Sequence, residues 1–174
     1  MSKPFHFKKF SVLQDQCAMK VGTDSVLLGA WSSLKHAPKS ILDIGAGTGV
    51  LALIMAQRSS AEIIDALEID AEAYEQCVYN FENSDWADRL FCYHAALKDF
   101  TVEIEDSYDL IISNPPYINK HNLKYLDKDV AKFEPKIALD GGLDGLSVIR
   151  KVIKKTSELI KKNGKFILEI GFDQ

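Results

Sequence analysis

The chain has 174 residues, of which 47% are hydrophobic and 26% charged, and this balance predicts one soluble globular domain with a buried core. The net charge of -4 argues against a general nucleic-acid binder, and no apolar run approaches the roughly 20 residues that span a bilayer. The N-terminus lacks a signal peptide, so a cytoplasmic protein is expected. Cys17, Cys77 and Cys92 are widely spaced and match no zinc pattern, which predicts buried free thiols and no bound metal.

The first 20 residues alternate aromatic side chains with positive charge. Phe5, Phe7 and Phe10 are interrupted by Lys8 and Lys9, and the pattern is too short to separate an edge hairpin from an extended arm. We therefore expect one or the other at the N-terminus.

Short apolar runs then alternate with helical patterns. The predicted strands cover 40–44, 61–67, 90–94, 108–113 and 165–170, and the predicted helices cover 26–31, 50–57, 71–83 and 144–162. Thr23-Asp24 is the predicted N-cap of the first helix, Asp70 caps the third, and Gly164 is expected at the C′ position of the last. A polar, lysine-rich loop is expected over 118–142. The alternation predicts an α/β fold, a doubly wound parallel sheet with helices on both faces and right-handed crossovers.

A glycine-rich loop joins the strand at 40–44 to its helix. Gly45, Gly47 and Gly49 let the backbone turn tightly and approach a ligand, and Glu68 follows at a distance that suits a carboxylate gripping ribose hydroxyls. The third glycine is one place early for a dinucleotide fingerprint, and Asp43 would repel a pyrophosphate. A cationic amino-acid head group fits both facts, so S-adenosylmethionine is the predicted cofactor. The alternative is an ordinary tight turn capped by Asp43.

The Asn-Pro-Pro-Tyr corner, residues 114–117, follows the buried strand at 108–113. Ligands in such sheets bind at the carboxyl ends of strands, where the strand order reverses, so this corner and the glycine loop can face one cleft. The Asn114 side-chain oxygen and the Pro115 carbonyl could each accept one N–H of a planar amine, which would turn its delocalised lone pair toward a methyl donor. The prolines would pre-set these acceptors, and Tyr117 would stack on the substrate. The alternative is a rigid loop after a strand.

Charge is unevenly distributed along the chain. Residues 62–109 hold fourteen acidic residues against two basic ones, whereas 1–20 and 150–165 are basic. A polyanion could therefore meet the basic segments and avoid the acidic edge. For 150–165, a solvated helix face is the alternative.

Together these motifs resemble the class I S-adenosylmethionine-dependent N-methyltransferases, over about residues 40–174. Residues 4–117 resemble the bacterial adenine-N6 methyltransferases that act on adenine 37 of valine tRNA, through Phe7–Phe10, Cys17–Asp24, Leu27–Trp31 and Asn83–Arg89. Residues 114–174 resemble the release-factor glutamine-N5 methyltransferases, through Asn114–Ile118, Phe133–Pro135, Ala138–Gly142, Asp144–Leu146 and Leu168–Gln174.

The resemblance implies a Rossmann-like fold and assigns a cofactor site. That site comprises Asp43, Gly45, Gly47, Gly49, Glu68, Ala95 and Ala96. Asp43, Gly45 and Gly47 would lie near the methionyl part and Glu68 on the ribose. Ala95 and Ala96 stand where such enzymes usually carry a polar partner for adenine.

Two departures from the resemblance concern domain organisation. The separate helical substrate domain that precedes the catalytic domain in the glutamine methyltransferases is expected to be absent, since residues 1–39 alone come first. We expect residues 1–39 to form a basic arm and helix, and residues 40–174 to form the cofactor-binding domain. The C-terminal hairpin strands that complete a seven-stranded sheet are expected to be lacking, which leaves the fifth strand as an edge. Because the two resemblances meet at the corner, a composite, a truncated and a naturally short chain all stay open.

The leading functional hypothesis is methylation of a planar exocyclic nitrogen, namely adenine N6 in tRNA, where an unpaired anticodon-loop base is flipped at little cost. The first alternative is N5-methylation of a glutamine in a peptide-chain release factor. A second alternative is a non-catalytic module that binds the cofactor or depends on a partner.

Overall fold

The computed structural model describes residues 3–100, 107–122 and 139–174, along which strands and helices alternate. The strands are β1 (Phe5–His6), β2 (Ser11–Val12), β3 (Ser40–Ile44), β4 (Ile63–Glu68), β5 (Leu90–His94), β6 (Tyr108–Ser113) and β7 (Ile160–Leu168). The helices are α1 (Thr23–Trp31), α2 (Val50–Arg58), α3 (Ala71–Glu82), α4 (Leu97–Phe100) and α5 (Ser147–Leu159). Phe133–Pro135, Ala138 and most of the loop predicted over 118–142 lie outside the described residues.

Five strands form one parallel sheet in the order β5-β4-β3-β6-β7. From β3 the chain moves outward to β4 and β5, and then crosses to the opposite side of β3 for β6 and β7. The predicted doubly wound parallel sheet is therefore confirmed, with its topological switch point beside β3. Among the described residues, β7 pairs on one side only, with β6.

Helices cover both faces of the sheet because the strands carry apolar side chains on both faces. Ile41 and Leu110 belong to one core cluster, which α2 completes. Leu42 and Ile111 belong to a second cluster, which includes Val152 from α5. This two-sided burial explains why the strands contain near-continuous apolar runs instead of an alternating pattern.

The N-terminal segment forms a hairpin of its own, with β1 antiparallel to β2. Phe10 and Val12 are buried in the same core cluster as the main sheet. The Asn80 side chain accepts a hydrogen bond from Leu13 N and donates to Leu13 O and to Thr48 O, at 2.8, 2.8 and 2.9 Å. The segment is thus a hairpin anchored on α3, and the division at residue 39 stays a prediction.

Several predicted element ends were wrong. Gly22, with no side-chain cap, is the N-cap of α1, so neither Thr23 nor Asp24 takes that position. The last helix ends at Leu159, and Ile160 already pairs with Tyr108 of β6. Gly164 therefore lies inside β7 and is not a C′ residue. The Asp70 cap was right, because its carboxylate accepts a hydrogen bond from Ala73 N at 2.9 Å.

The three cysteines are free, with Cys17 and Cys77 buried and Cys92 half-buried. No helix among the described residues combines the length and apolarity required to cross a membrane. Within those same ranges there is no cluster of three or more His, Cys, Asp or Glu side chains placed to hold a metal ion.

Candidate active site

Three loops that follow neighbouring strands meet at one edge of the sheet. Ile44, the last residue of β3, is in register with Leu67 of β4 on one side and with Ser113 of β6 on the other. Because these strands are parallel, the segments that follow them lie side by side at the switch point. The glycine loop is therefore flanked by Glu68 and by the Asn114 corner, as the sequence predicted.

The glycine loop is open above its first two glycines and packed beneath its third. Gly45 and Gly47 have φ values of 77° and 54°, and a Cβ on either would meet nothing within 4 Å. Gly49 also has a positive φ, 78°, but a Cβ there would come within 2.6 Å of Phe81 and 2.8 Å of Cys77. Gly45 and Gly47 are placed to approach a ligand, whereas Gly49 lets the start of α2 lie against Phe81 and Cys77 of α3. The predicted ligand contact of Gly49 stays a prediction.

Glu68 holds the glycine loop to the turn between β4 and α3. Its Oε2 accepts a hydrogen bond from Gly47 N at 2.7 Å, and its Oε1 accepts from Ile69 N and Asp70 N at 2.8 and 2.9 Å. A carboxylate has about four acceptor positions, and three are occupied here. If Glu68 bound two ribose hydroxyls, at least one of these three hydrogen bonds would have to break. The ribose assignment therefore stays a prediction, and it requires the loss of a hydrogen bond seen here.

Asp43 is a fully buried carboxylate directly before the glycine loop. Its Oδ2 accepts a hydrogen bond from Ala52 N at 3.2 Å, and its Oδ1 has no partner within the described residues. The pKa of Asp43 is raised to about 7, mainly by burial. The hydrogen bond from Ala52 N lowers this pKa, and the charge of Glu68 raises it. An unpartnered carboxylate oxygen on the strand that leads into two open glycines fits a cofactor that carries a cationic amino group.

The residues predicted near adenine lie beside Glu68. Ala95 donates its backbone N–H to Glu68 O at 3.0 Å, and Ala95 and Ala96 are both half-buried just before α4. Their side chains can supply only apolar contact. The predicted adenine position is therefore adjacent to Glu68, the residue predicted to bind the ribose, and the side chains of Ala95 and Ala96 offer adenine no hydrogen bond.

The Asn-Pro-Pro-Tyr corner is fastened to β3 by the residue before it. The Ser113 hydroxyl donates to Ile44 O at 2.8 Å, which ties the start of the corner to the start of the glycine loop. Asn114 is half-buried and Pro115 is buried. No hydrogen bond engages the Asn114 side chain in the ranges that the structure describes, so its oxygen remains an available acceptor next to the open loop.

Two residues after β7 hold the corner from the other side, and the sequence had assigned neither a role. The Tyr117 hydroxyl donates to Glu169 Oε1 at 3.0 Å, and Gln174 Nε2 donates to Tyr117 O at 2.9 Å. Glu169 N also donates to Ser113 O at 3.1 Å. The signal in the sequence that points to these two residues is the Leu168–Gln174 segment, which resembles the glutamine methyltransferases.

The profile of the methyltransferase small domain family matches residues 18–132. A relative from Christiangramia forsetii named tRNA1(Val) (adenine(37)-N6)-methyltransferase is 54% identical over 99% of this chain. Relatives of the same name from Flavobacterium johnsoniae and Parabacteroides distasonis are 50% and 39% identical over 98% and 100% of the chain. The chain spans 69%, 68% and 69% of the length of these three relatives.

Solved structures confirm the class I methyltransferase fold. P. horikoshii TYW2 in complex with MeSAdo superposes with a TM-score of 0.62 at 17% identity, covering 94% of this chain and 50% of that one. Geranyl diphosphate C-methyltransferase from Streptomyces coelicolor A3(2) superposes with a TM-score of 0.53 at 11% identity, covering 76% and 39%. At these identities the likeness concerns the fold alone.

The same tRNA1(Val) (adenine(37)-N6)-methyltransferase relatives match the chain both before and after the corner. Residues 114–174 therefore need not come from a different family than residues 4–117. Of the three alternatives left open by the two resemblances, a composite chain is therefore not needed to explain the sequence. The chain belongs to the methyltransferase small domain family, in the same group as these tRNA1(Val) (adenine(37)-N6)-methyltransferases.

Proposed function

We propose that this protein methylates the N6 amino group of an adenine in tRNA, with S-adenosylmethionine as the methyl donor. The observation that carries the proposal is the register of Ile44 with Ser113, which sets the open glycine loop beside Asn114. The relatives' names support the more specific substrate, adenine 37 of tRNA1(Val). A tRNA substrate also agrees with the predicted cytoplasmic location.

The cofactor side of the cleft would be formed by Asp43, Gly45, Gly47 and Glu68. When bound, S-adenosylmethionine supplies an electrophilic methyl group on a sulfonium centre. Asp43 would attract the amino group of the methionyl part, directly or through water, because its Oδ1 is unpartnered. The two glycines leave space for the ligand above the loop, since neither has a neighbour within 4 Å of its Cβ direction. Glu68 would receive a ribose hydroxyl at its remaining acceptor position.

The substrate side would be formed by the corner. The Asn114 side-chain oxygen and the Pro115 carbonyl accept the two N–H bonds of the adenine amino group. Accepting both bonds draws the nitrogen lone pair out of conjugation and directs it toward the cofactor side. Because Pro115 and Pro116 fix φ, these acceptors are placed before substrate arrives, and no side-chain ordering is required at the moment of reaction.

Tyr117 would stack on the adenine ring. A stacking side chain contributes most when its ring is already oriented, and the Glu169 contact at 3.0 Å provides that orientation. Alignment of the base against the methyl donor is the main requirement of an in-line transfer, so fixing the ring plane favours the reaction directly.

The N-terminal hairpin would extend the RNA contact beyond the flipped base. Phe5 is 41% exposed, and its ring lies 4.9 Å from that of Phe7. Lys3, Lys8 and Lys9 are exposed beside this aromatic pair. Aromatic faces interleaved with ammonium groups suit unpaired nucleotides and their phosphates. In this proposal the basic hairpin contacts the substrate, within a predicted N-terminal unit of residues 1–39 that also holds α1.

The test uses S-adenosylmethionine labelled on its methyl group, with an unmodified tRNA1(Val) transcript and a peptide-chain release factor in separate reactions. We expect label on the RNA, and digestion of the RNA should release it as N6-methyladenosine. A transcript with guanine in place of adenine 37 is the matched control and should stay unlabelled. Label on the release factor alone would establish the glutamine alternative, and cofactor binding without transfer to either would establish the non-catalytic one.

A further inference from the structure

A cleft of about 260 Å³ lies at the end of the sheet opposite the corner. It is bounded by the segment that enters β3 and by the turn inside β7. Its lining residues are His36, Ala37, Lys39, Asp109, Lys162, Asn163 and Gly164. None of them belongs to the candidate active site, since β3 and β6 separate the two ends by their full length.

One wall of the cleft is a bulge in β7. Ile160 pairs with Tyr108 and Lys165 pairs with Leu110, so β6 advances two residues while β7 advances five. The extra residues project Lys162 and Asn163 outward from the sheet edge, and both are exposed. β-bulges of this kind redirect side chains and are over-represented near functional sites.

Backbone strain is concentrated at this cleft. Ala37, with a φ of 48°, and Asn163, with a φ of 70°, are the two non-glycine residues in the described ranges that have a positive φ. They lie on opposite walls of the same cleft. For Ala37 a left-handed conformation costs roughly 1 to 2 kcal/mol, whereas Asn163 adopts it more readily, and strained residues cluster at ligand sites.

The cleft also contains an imidazole that lacks partners. Both ring nitrogens of His36 are buried and make no hydrogen bond within the part of the chain that the structure describes. At least one of them carries a proton, and a buried donor without an acceptor costs about 1 to 3 kcal/mol. Rotation of the ring toward an acceptor in the cleft would remove that cost.

The charge of the cleft favours an anion. Asp109 is already engaged, because its carboxylate accepts hydrogen bonds from Lys39 N and Ser40 N and pairs with Lys161 Nζ at 3.2 Å. Lys162 has no such carboxylate partner among the described residues. The Lys39 ammonium pairs with Glu62 at 2.9 Å, but both side chains are more than half exposed, so this pair opens at little cost.

We propose that this cleft binds a phosphate group, held by the Lys39 and Lys162 ammonium groups and by the His36 ring N–H. The phosphate could be a phosphodiester of an RNA backbone or a free phosphate ion, since both present the same oxygen acceptors. The assignment does not depend on the proposed methyl transfer, because no residue of the cleft belongs to the corner or to the glycine loop.

The test is an NMR titration of the full chain with inorganic phosphate and, separately, with a tRNA transcript, observing the His36 ring and the amides of Ala37, Asn163 and Gly164. Phosphate should shift these resonances in a saturable way, and Lys162→Glu should weaken binding at least tenfold. Lys154→Glu is the matched control, because Lys154 is exposed on the outer face of α5 and carries the same charge change. It should leave phosphate affinity within about twofold of the parent protein.

The two probes distinguish the source of the phosphate. If tRNA shifts the same resonances and loses affinity in Lys162→Glu but not in Lys154→Glu, the site receives an RNA phosphodiester. If phosphate alone shifts them, the site receives a free anion. Absence of a shift with both probes, or equal weakening in the two variants, would overturn the assignment. His36→Gln, which keeps an amide donor near the ring position, should bind phosphate more tightly than His36→Ala.

Discussion

The hydroxyl of Tyr117 donates a hydrogen bond to Glu169 Oε1 at 3.0 Å and joins the corner to the residue that follows β7. The other oxygen, Oε2, is buried without a partner among the described residues. Burial raises the pKa of Glu169, the Tyr117 hydrogen bond lowers it, and the charge of Asp24 raises it again, with a net increase. This carboxyl group therefore sits in a partly desolvated position whose main described contact is the ring predicted to stack on substrate.

Removing that contact should reduce catalytic efficiency without affecting the cofactor. We expect Glu169→Ala to lower kcat/KM for tRNA roughly tenfold or more, because a hydrogen bond to a charged group contributes about 1.5 to 3 kcal/mol. Glu169→Gln keeps an oxygen that accepts the Tyr117 O–H, so it should retain most of the activity. Steady-state kinetics and cofactor binding by calorimetry check both variants.

A double-mutant cycle separates positioning from general damage. Tyr117→Phe keeps the stacking ring but removes the hydroxyl, so adding Glu169→Ala to it should cost much less than Glu169→Ala costs alone. Coupling of roughly 1 kcal/mol is expected for two groups in direct contact. Purely additive effects would show that Glu169 acts elsewhere.

Asn114→Ala should lower kcat by roughly 10²- to 10³-fold, the range measured when one preorganised polar group at a reacting centre is removed. Cofactor affinity should stay within about twofold of the parent protein, because Asn114 lies on the substrate side of the cleft. Asn114→Asp keeps an acceptor oxygen and is expected to be less impaired than Asn114→Ala. Near-normal turnover of the alanine variant would remove Asn114 from the mechanism.

The glycine loop offers a matched pair of substitutions. Gly49→Ala puts a Cβ within 2.6 Å of Phe81 and 2.8 Å of Cys77 at a φ of 78°, so it should lower the free energy of unfolding by roughly 2 kcal/mol or more. Gly45→Ala has the same type of φ but nothing within 4 Å, so it should cost roughly 1 kcal/mol.

For cofactor affinity we expect the opposite ranking, with Gly45→Ala more damaging than Gly49→Ala. The Gly45 Cβ would enter the open space above the loop, so Gly45→Ala should weaken S-adenosylmethionine binding more than its effect on stability suggests. Urea unfolding and calorimetric titration of both variants measure the two quantities. If Gly49→Ala proved as stable as the parent protein, the close approach of Gly49 to Phe81 and Cys77 would be incorrect.

The sequence was most informative where local chemistry decides the structure. Asp70 begins α3 because its short carboxylate reaches Ala73 N, an interaction that spans three residues and can be anticipated from residue type alone. The positive φ values of Gly45 and Gly47 follow from residues that carry no Cβ. The adjacency of the loop and the corner also followed, because parallel strands fix which ends meet.

The failures have a tertiary origin. Ile160 fits the helical pattern of the sequence, but it pairs with Tyr108 in the sheet instead. Hydrophobic periodicity alone does not show that this strand pairing is available. Glu169 contacts Tyr117 only because β7 lies next to β6, although the two residues are 52 positions apart. In the sequence Gly49 cannot be distinguished from Gly45 and Gly47. The position of Phe81 in the structure shows that Gly49 is needed for packing, whereas the other two face open space.

Asp43 makes the folded protein less stable as pH rises, because its pKa is higher in the folded than in the unfolded chain. Its pKa is about 7 in the folded chain against an ordinary value of 3.8, mainly because it is buried. Between these values the folded protein retains a proton that the unfolded chain has lost, so this group's contribution to the free energy of unfolding falls as pH rises from about 4 to 7. Above pH 7 the carboxylate is charged in both states, and the loss is complete.

Asp43→Asn removes this titration and should therefore become more stable relative to the parent protein as pH rises. Between pH 5 and pH 8 the difference in free energy of unfolding should change in favour of the variant by roughly 2 to 3 kcal/mol, measured by urea unfolding. The same variant should bind S-adenosylmethionine more weakly at pH 8, because the carboxylate that would attract the cofactor's amino group is gone. Saturating cofactor should reduce the pH dependence of the parent protein, since a cation near Asp43 lowers its pKa. Parallel stability curves for the two proteins would show that Asp43 is not titrating in this window.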